Sequence, residues 1–229
     1  MTQTPPLRVS VIIPALNEEQ ALPGTLASLR GAGEVHEIIV ADGGSTDGTE
    51  AIARGLGAKV TQSAAGRGRQ LAAGAANASG DIFWFVHADA QVAVDAVERI
   101  RTAVAAGAAA GNFRLRFTGD TTGARFTTAY QPVLRALGWV FGDSGIFATR
   151  DSYAAAGGIQ DLPIFEDVDF VKRVRRVGRF VTVPAFLTAS SRRFEGRYLR
   201  TFSLWTLMQM LYLAGVSPQR LGRMYRNAR

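Results

Sequence analysis

A few short stretches hold the side chains able to do chemistry. Phe165-Glu166-Asp167-Val168-Asp169 places three acids at the start of a helical pattern. A positioned carboxylate there can act as a general base on a bound acceptor. Acids at a helix start also complement the helix dipole, so ordinary capping accounts for them equally well. Residues i and i+3 share a helix face, which predicts that Glu166 and Asp169 lie together with Asp167 turned about 100° away. His87-Ala88-Asp89 follows a wholly apolar run. Asp89 offers one hard oxygen to Mg2+ or Mn2+, with a substrate diphosphate and water completing the shell. The plain alternative has Asp89 capping the next helix and His87 satisfied in the core.

The other stretches suit a nucleotide. Asp42-Gly43-Gly44-Ser45-Thr46-Asp47-Gly48-Thr49 sets a carboxylate beside glycines. Asp42 can accept from a base imide or ribose hydroxyls, and Gly43 lets a planar ring approach. A tight turn with a helix cap explains the same residues. Pro14, Ala15, Asn17 and Glu18 form a second polar strand end. In Gly66-Arg67-Gly68-Arg69-Gln70, Arg67 and Arg69 sit at a helix start, where guanidinium and backbone N–H groups favour phosphate. The spacing is not that of a Walker loop. Asp143-Ser144-Gly145 and the pair Gly157-Gly158 mark polar turns on an acceptor side.

Elements that alternate in kind must carry these groups. Strands are predicted at 8–13, 35–41, 59–61 and 81–86, with helices at 17–30, 45–56, 69–78 and 93–106 between them. That alternation implies a doubly wound, mostly parallel α/β sheet, with ligands beyond the carboxyl ends of its strands. The run Asp81-Ile82-Phe83-Trp84-Phe85-Val86 reads as a central strand. The second half predicts strands at 111–117, 145–149 and 179–183. Its helices fall at 126–137, 167–177, 198–214 and 217–226. With no repeat or linker, residues 1–229 read as a single domain. A nucleotide half spans 8–110, an acceptor half 111–190, and a basic, apolar helical appendage 191–229.

The chain has 229 residues, 47% of them hydrophobic, and no Cys. Disorder, a disulfide scaffold and thiolate metal sites are excluded. Two histidines are too few for a multi-histidine metal centre. Residues 1–169 carry 13 basic and 18 acidic groups, whereas residues 170–229 carry 13 basic groups and Glu195 alone. A basic tail on an acidic body suggests an anionic partner: a nucleotide diphosphate, membrane lipid or nucleic acid. A solvated, Arg-rich surface would give the same count. The charge-free stretch 201–219 has an apolar core shorter than the ~20 residues a span needs, and reads as a buried or interfacial helix. The polar leader 1–6 lacks the apolar core of a secretory signal, which predicts a cytoplasmic setting.

In this order the pieces resemble the family 2 glycosyltransferases of the GT-A fold. Val11-Ile12-Ile13-Pro14-Ala15-Leu16-Asn17-Glu18-Glu19 is similar to their first strand and loop. Ile39 to Thr49 is similar to their V-D-D-G-S-T-D-G-T segment. His87-Ala88-Asp89 falls at their D-x-D motif, and Glu166-Asp167 at their catalytic Glu-Asp pair. The resemblance covers residues 8 to about 185. His-Ala-Asp-Ala and Gly-Asp-Ser-Gly-Ile-Phe are similar to a small bacterial subgroup associated with radical-SAM/selenodomain proteins.

The resemblance implies transfer of a sugar from a nucleotide-diphosphate donor, a UDP-sugar, to an acceptor hydroxyl with inversion. It implies Asp42 on the base, Asp89 on Mn2+ or Mg2+, and Asp167 as the base catalyst. Pro14, Ala15, Asn17, Glu18, Gly43, Arg67, Arg69, His87 and Ala88 would line the donor site. Asp143, Gly157, Gly158 and Glu166 would face the acceptor. Gly43 replaces the second Asp of the usual pair and His87 the first Asp of D-x-D, which lowers the negative charge near the diphosphate. The absence of Gln-x-x-Arg-Trp favours a single transfer. The acceptor could be lipid-linked, with 192–229 touching a membrane or forming a homodimer; nucleic acid is not expected. Two alternatives remain. A sugar-nucleotidyltransferase would want a Gly-rich basic loop after the first strand, which 14–19 lacks. A degenerate, binding-only protein would hold anions without turning over a nucleotide sugar.

Overall fold

The computed structural model describes residues 5–118, 122–190 and 198–228. Four strands and their helices alternate first: β1 (Val9–Ala15), α1 (Leu22–Arg30), β2 (Glu37–Asp42), α2 (Thr49–Gly55), β3 (Lys59–Gln62), α3 (Arg67–Asn77), β4 (Ile82–Phe85) and α4 (Ala96–Ala105). Then come β5 (Ala110–Phe117), α5 (Thr122–Ala136), β6 (Phe147–Thr149), α6 (Arg150–Ala155), α7 (Glu166–Val177), β7 (Phe180–Ala189), α8 (Tyr198–Leu213) and α9 (Pro218–Ala228). The seven strands form one sheet in the order β3-β2-β1-β4-β6-β5-β7. β1 to β4 pair in parallel, as do β5 and β7; β6 runs antiparallel to both of its neighbours. The fold is the mostly parallel α/β sheet that the alternation implied, with β4 at its centre and all four of its residues buried.

Period-two alternation in the strands divides the core between the two sheet faces. Val9, Val11 and Ile13 pack with Leu22, Leu26 and Leu29 of α1 and with Val97 and Ile100 of α4. Ile12, Ile39, Phe83 and Phe85 face Leu71 of α3 and Phe170, Val171 and Val174 of α7. A third cluster lies under the C-terminal helices, where Leu134 and Trp139 meet Phe165, Met208 and Leu221. The 198–214 stretch therefore covers the protein's own core along one side. Leu207, Met210 and Leu213 stay 50%, 61% and 62% exposed on the other. Among the described residues no helix is long and apolar enough to cross a membrane.

Several boundaries differ from the sequence expectation for physical reasons. The first helix begins at Leu22 rather than residue 17, because Asn17 takes a left-handed φ of 56° and ties down the neighbouring loop. Ser45 and Thr46 do not cap α2, which starts after Gly48; the Ser45 hydroxyl is held by Asp42 instead. α6 is unanticipated and is capped by the Thr149 side chain, which accepts from the Ser152 N–H. β7 runs well past residue 183, because a register shift opposite Phe113 and Arg114 absorbs Pro184 and Ala185. A bulge is one of the few places where a strand tolerates proline.

Candidate active site

The three acids of α7 separate on entry to the helix. Arg67, at the start of α3, donates through Nε to Glu166 Oε1 and through Nη2 to Asp167 Oδ2 at 3.2 Å. Asp167 Oδ2 also accepts the Gly142 N–H at 2.7 Å, and Oδ1 the Val168 N–H at 2.7 Å. Asp169 turns away to Arg173, one helical turn on. The expected pairing of Glu166 with Asp169 is thus corrected: each acid follows its nearest guanidinium, and Arg67 draws Glu166 towards Asp167. Both acids on Arg67 are buried. Burial pushes the Asp167 carboxyl up to about 6, and the Glu166 charge pushes the same way; Arg67 and the two N–H groups oppose. A carboxylate poised there can take a proton near neutrality.

The entry to α7 is strained. Phe165 caps the helix at φ 63°, a left-handed conformation that bulky residues avoid. Its ring is fixed among Tyr212, Trp139 and Trp205, with centroids 4.8, 6.0 and 6.3 Å away. Packing thereby holds the turn that sends Glu166 and Asp167 inward. On the facing turn Gly142 leaves room for both side chains: a Cβ there would lie 3.2 Å from Asp167 Oδ2 and 3.1 Å from His87 Nε2.

His87 and Asp89 leave the carboxyl end of β4. His87 Nδ1 lies 3.2 Å from Asp143 Oδ1, which ties this strand end to the turn at 142–144. The Ala88 carbonyl accepts the Thr25 hydroxyl at 2.7 Å and fixes the loop against α1. Asp89 is no helix cap, since α4 begins at Ala96 with Asp95 before it. His87 is no core histidine, since it lines an open cavity. No group of three metal-binding side chains occurs among the described residues.

The loops after β1 and β2 form a separate rim. The strands are in parallel register with Ala15 opposite Asp42, so their loops leave level with one another. Asp42 is 1% exposed and accepts from the Gly44 and Ser45 N–H groups and the Ser45 hydroxyl. Asn17 Oδ1 accepts the Thr46 N–H, and the Glu18 N–H donates to Thr49. Gln70, buried on α3, donates to the carbonyls of Ala15 and Ala41. A Cβ on Gly43 would lie 3.0 Å from Gln70 Nε2, so Gln70 fills the room that the second Asp of the motif would need. Sequence reasoning placed Gln70 in the basic loop without giving it a role.

A cavity of about 310 Å³ joins these parts to the C-terminal helices. Arg67, His87, Asp89, Asp143 and Asp167 line one end, and of the three α7 acids only Asp167 reaches it. The far wall is Tyr130 and Leu134 of α5, Trp205 and Gln209 of α8, and Tyr225 of α9. The wall was not foreseen; its signal is the spacing of Trp205, Thr206 and Gln209 inside an apolar stretch. Arg69 pairs with Asp161 at the surface and does not line the cavity. Gly157 and Gly158 also stay outside it; they take positive φ and close the turn after α6, over Tyr153. Arg67 lies on the acids instead of standing free for a phosphate. Arg67 still lines the cavity, whereas Arg69, Gly157 and Gly158 lie outside it.

The family described as Glycosyl transferase family 2 matches residues 10–154. Glucosyl-3-phosphoglycerate synthase of Mycolicibacterium smegmatis is 40% identical over 92 residues, which cover 35% of this chain and 30% of that protein. The Mycobacterium tuberculosis enzyme is 38% identical over 92 residues, 35% of this chain and 28% of its own length. This chain thus matches less than a third of the length of these curated relatives. The fold is shared with the mannosyltransferase PcManGT of Pyrobaculum calidifontis in complex with GDP-Man and Mn2+: TM-score 0.71, 20% identity, 98% of this chain and 70% of that one. It is also shared with the M. tuberculosis synthase in complex with Mn2+, UDP and phosphoglyceric acid: TM-score 0.62, 24% identity, 92% and 80% of the two chains.

Proposed function

The chain belongs to glycosyl transferase family 2, and from that premise we propose that it moves a sugar from a UDP-sugar to an acceptor hydroxyl in one inverting transfer. The observation that carries this reading is the placement of Asp167, buried, raised to about 6, and at the end of a cavity that also holds Asp89. Asp167 lies beyond the span that the family matches, so its role rests on this geometry. In the reaction it accepts the acceptor's proton while the hydroxyl oxygen attacks the anomeric carbon. The rim from Pro14 to Glu18 and from Asp42 to Ser45 is the place for the nucleoside. Residues 8–110 then serve the donor and 111–190 the acceptor, with α8 and α9 covering the site.

The donor set fits Mn2+ or Mg2+. Such ions are held by one or two carboxylates together with substrate phosphates and water, which is what Asp89 in an otherwise ligand-poor site can supply. Bound there, the ion would neutralise charge on the leaving diphosphate. Asp89→Ala is expected to remove the dependence on Mn2+ and most of the turnover without loss of fold. Release of UDP from a panel of UDP-sugars, with and without Mn2+, is the measurement; an unchanged Mn2+ response overturns the assignment.

A second element of the reading concerns place. Leu207, Met210 and Leu213 are exposed on α8 and Arg220 and Arg223 are exposed on α9, which supports contact with an anionic, cytoplasmic membrane face and a lipid-linked acceptor. Basic residues near such a surface add ~1 kcal/mol each. Flotation with phosphatidylserine vesicles at low salt is expected to carry the protein upward. Absence of binding, or a dimer that buries the stripe, removes this element.

A further inference from the structure

The cavity differs in kind from end to end, and the difference bears on which acceptor enters. Its inner end is charged. Among the described residues Asp89, Asp143 and Asp167 line the cavity together with Arg67, Arg200 and His87, and Arg67 is already held by Glu166 and Asp167. The outer wall is apolar and aromatic, with Tyr130, Leu134, Trp205 and Tyr225 along α5, α8 and α9. Its rings are braced from behind: Trp205 packs on Phe141, Phe165 and Tyr225. Rigid aromatic walls with a few polar groups at one end are how sites bind ligands with an apolar body and one reactive handle.

Resting on the transfer reading above, we infer that the acceptor is an alcohol carried on an apolar aryl or alkyl body, rather than a small, wholly polar molecule. The body lies between α5 and α8 and the hydroxyl reaches Asp167. In the step that follows, the alcohol oxygen bonds to the anomeric carbon and its proton passes to Asp167. The bond from that carbon to the diphosphate oxygen breaks, and UDP leaves with the electron pair. Burial of the body removes apolar surface from water, so affinity grows with chain or ring size until the cavity is full.

The test is binding without donor, which separates this inference from the transfer reading: UDP binding and donor turnover decide that one independently. Intrinsic tryptophan fluorescence is followed on the full chain during titration with 3-phenylpropan-1-ol, glycerol and 3-phosphoglycerate. The expected result is saturable binding of 3-phenylpropan-1-ol at least tenfold tighter than that of glycerol or 3-phosphoglycerate. Gln131→Trp places a larger side chain at the half-buried wall of α5 and should abolish the phenylpropanol signal, with circular dichroism confirming the fold. Tighter binding of 3-phosphoglycerate overturns the inference. So does phenylpropanol binding that Gln131→Trp leaves intact, since the ligand would then sit on the exposed stripe.

Discussion

The two polar regions at the carboxyl edge of the sheet are built on opposite principles. In the rim after β1 and β2, each carboxylate faces hydroxyls and backbone N–H groups: Asp42 holds Gly44 and Ser45, and Asp47 holds Thr49. At the charged end of the cavity, side chains face side chains. Arg67 holds Asp167 and, behind it, Glu166, and Asp143 meets the His87 ring. The rim is a set of loop braces with a nearly neutral outcome, whereas the cavity end is a poised electrostatic system in which removing one member shifts the others. Loss at the rim should therefore read out as affinity and stability, and loss at the cavity end as rate and pH dependence.

The largest expected effect is at the base. Asp167→Asn keeps size and hydrogen-bonding capacity but cannot take a proton, and loss of a general base costs ~10²–10⁴ in rate. Asp169→Asn, which breaks only the pair with Arg173, should stay close to wild type. Transfer rates for the two variants decide the assignment; a dead Asp169→Asn beside an active Asp167→Asn would reverse it. UDP affinity should be unchanged in both.

Arg67→Gln should have the next largest effect, and its signature is a shift in pH dependence. The guanidinium charge favours the ionised carboxylate of Asp167, whose carboxyl is already up at about 6. Without Arg67 that carboxyl rises further, so the acidic limb of kcat against pH moves to higher pH. Activity should fall more at pH 6 than at pH 8.5. Arg67→Lys, which retains the charge, should keep most of the limb in place. An unshifted limb in Arg67→Gln would show that the rate does not depend on ionised Asp167. Removing one partner of a buried pair also destabilises by about 3–5 kcal/mol, so denaturant unfolding belongs beside the kinetics.

The rim should give the smallest effect. Asp42→Ala removes an acceptor of three hydrogen bonds from the loop and should weaken UDP binding by ~1–3 kcal/mol. Calorimetry with UDP measures it. If Asp42→Ala changed the pH profile of transfer and left UDP affinity untouched, the two regions would not be distinct in the way described.

Contact range explains which of these features the sequence reveals. β1 to β4 and the Asp42 loop are legible because strand alternation and turn chemistry act over a few residues, and Asp42 braces donors two and three positions away. Asp167 is legible as one of three acids, but not its separation from Asp169, because Arg67 lies 100 residues away in the chain. Gln70 is hidden for the same reason: its partners, the Ala15 and Ala41 carbonyls, are backbone atoms that any residue would present. β6 is legible as the strand at 145–149 but its antiparallel direction is not, because the strands it pairs with, β4 and β5, lie elsewhere in the chain. The far wall of the cavity is hidden by the 198–214 stretch itself, whose inward and outward faces are both apolar.

Phe165 links the two ends of the cavity mechanically. A left-handed aromatic residue costs ~1–3 kcal/mol of torsional strain, and here the neighbouring rings hold it in place. The peptide it twists is the one that aims Glu166 and Asp167. Whatever loosens α8 slackens the clamp on that peptide, so the carboxylates lose their aim well before the sheet loses its order. The aromatic roof thus works as a tensioner: the aim of the Asp167 carboxylate is set by how tightly Trp205 and Tyr212 are pressed onto a single ring.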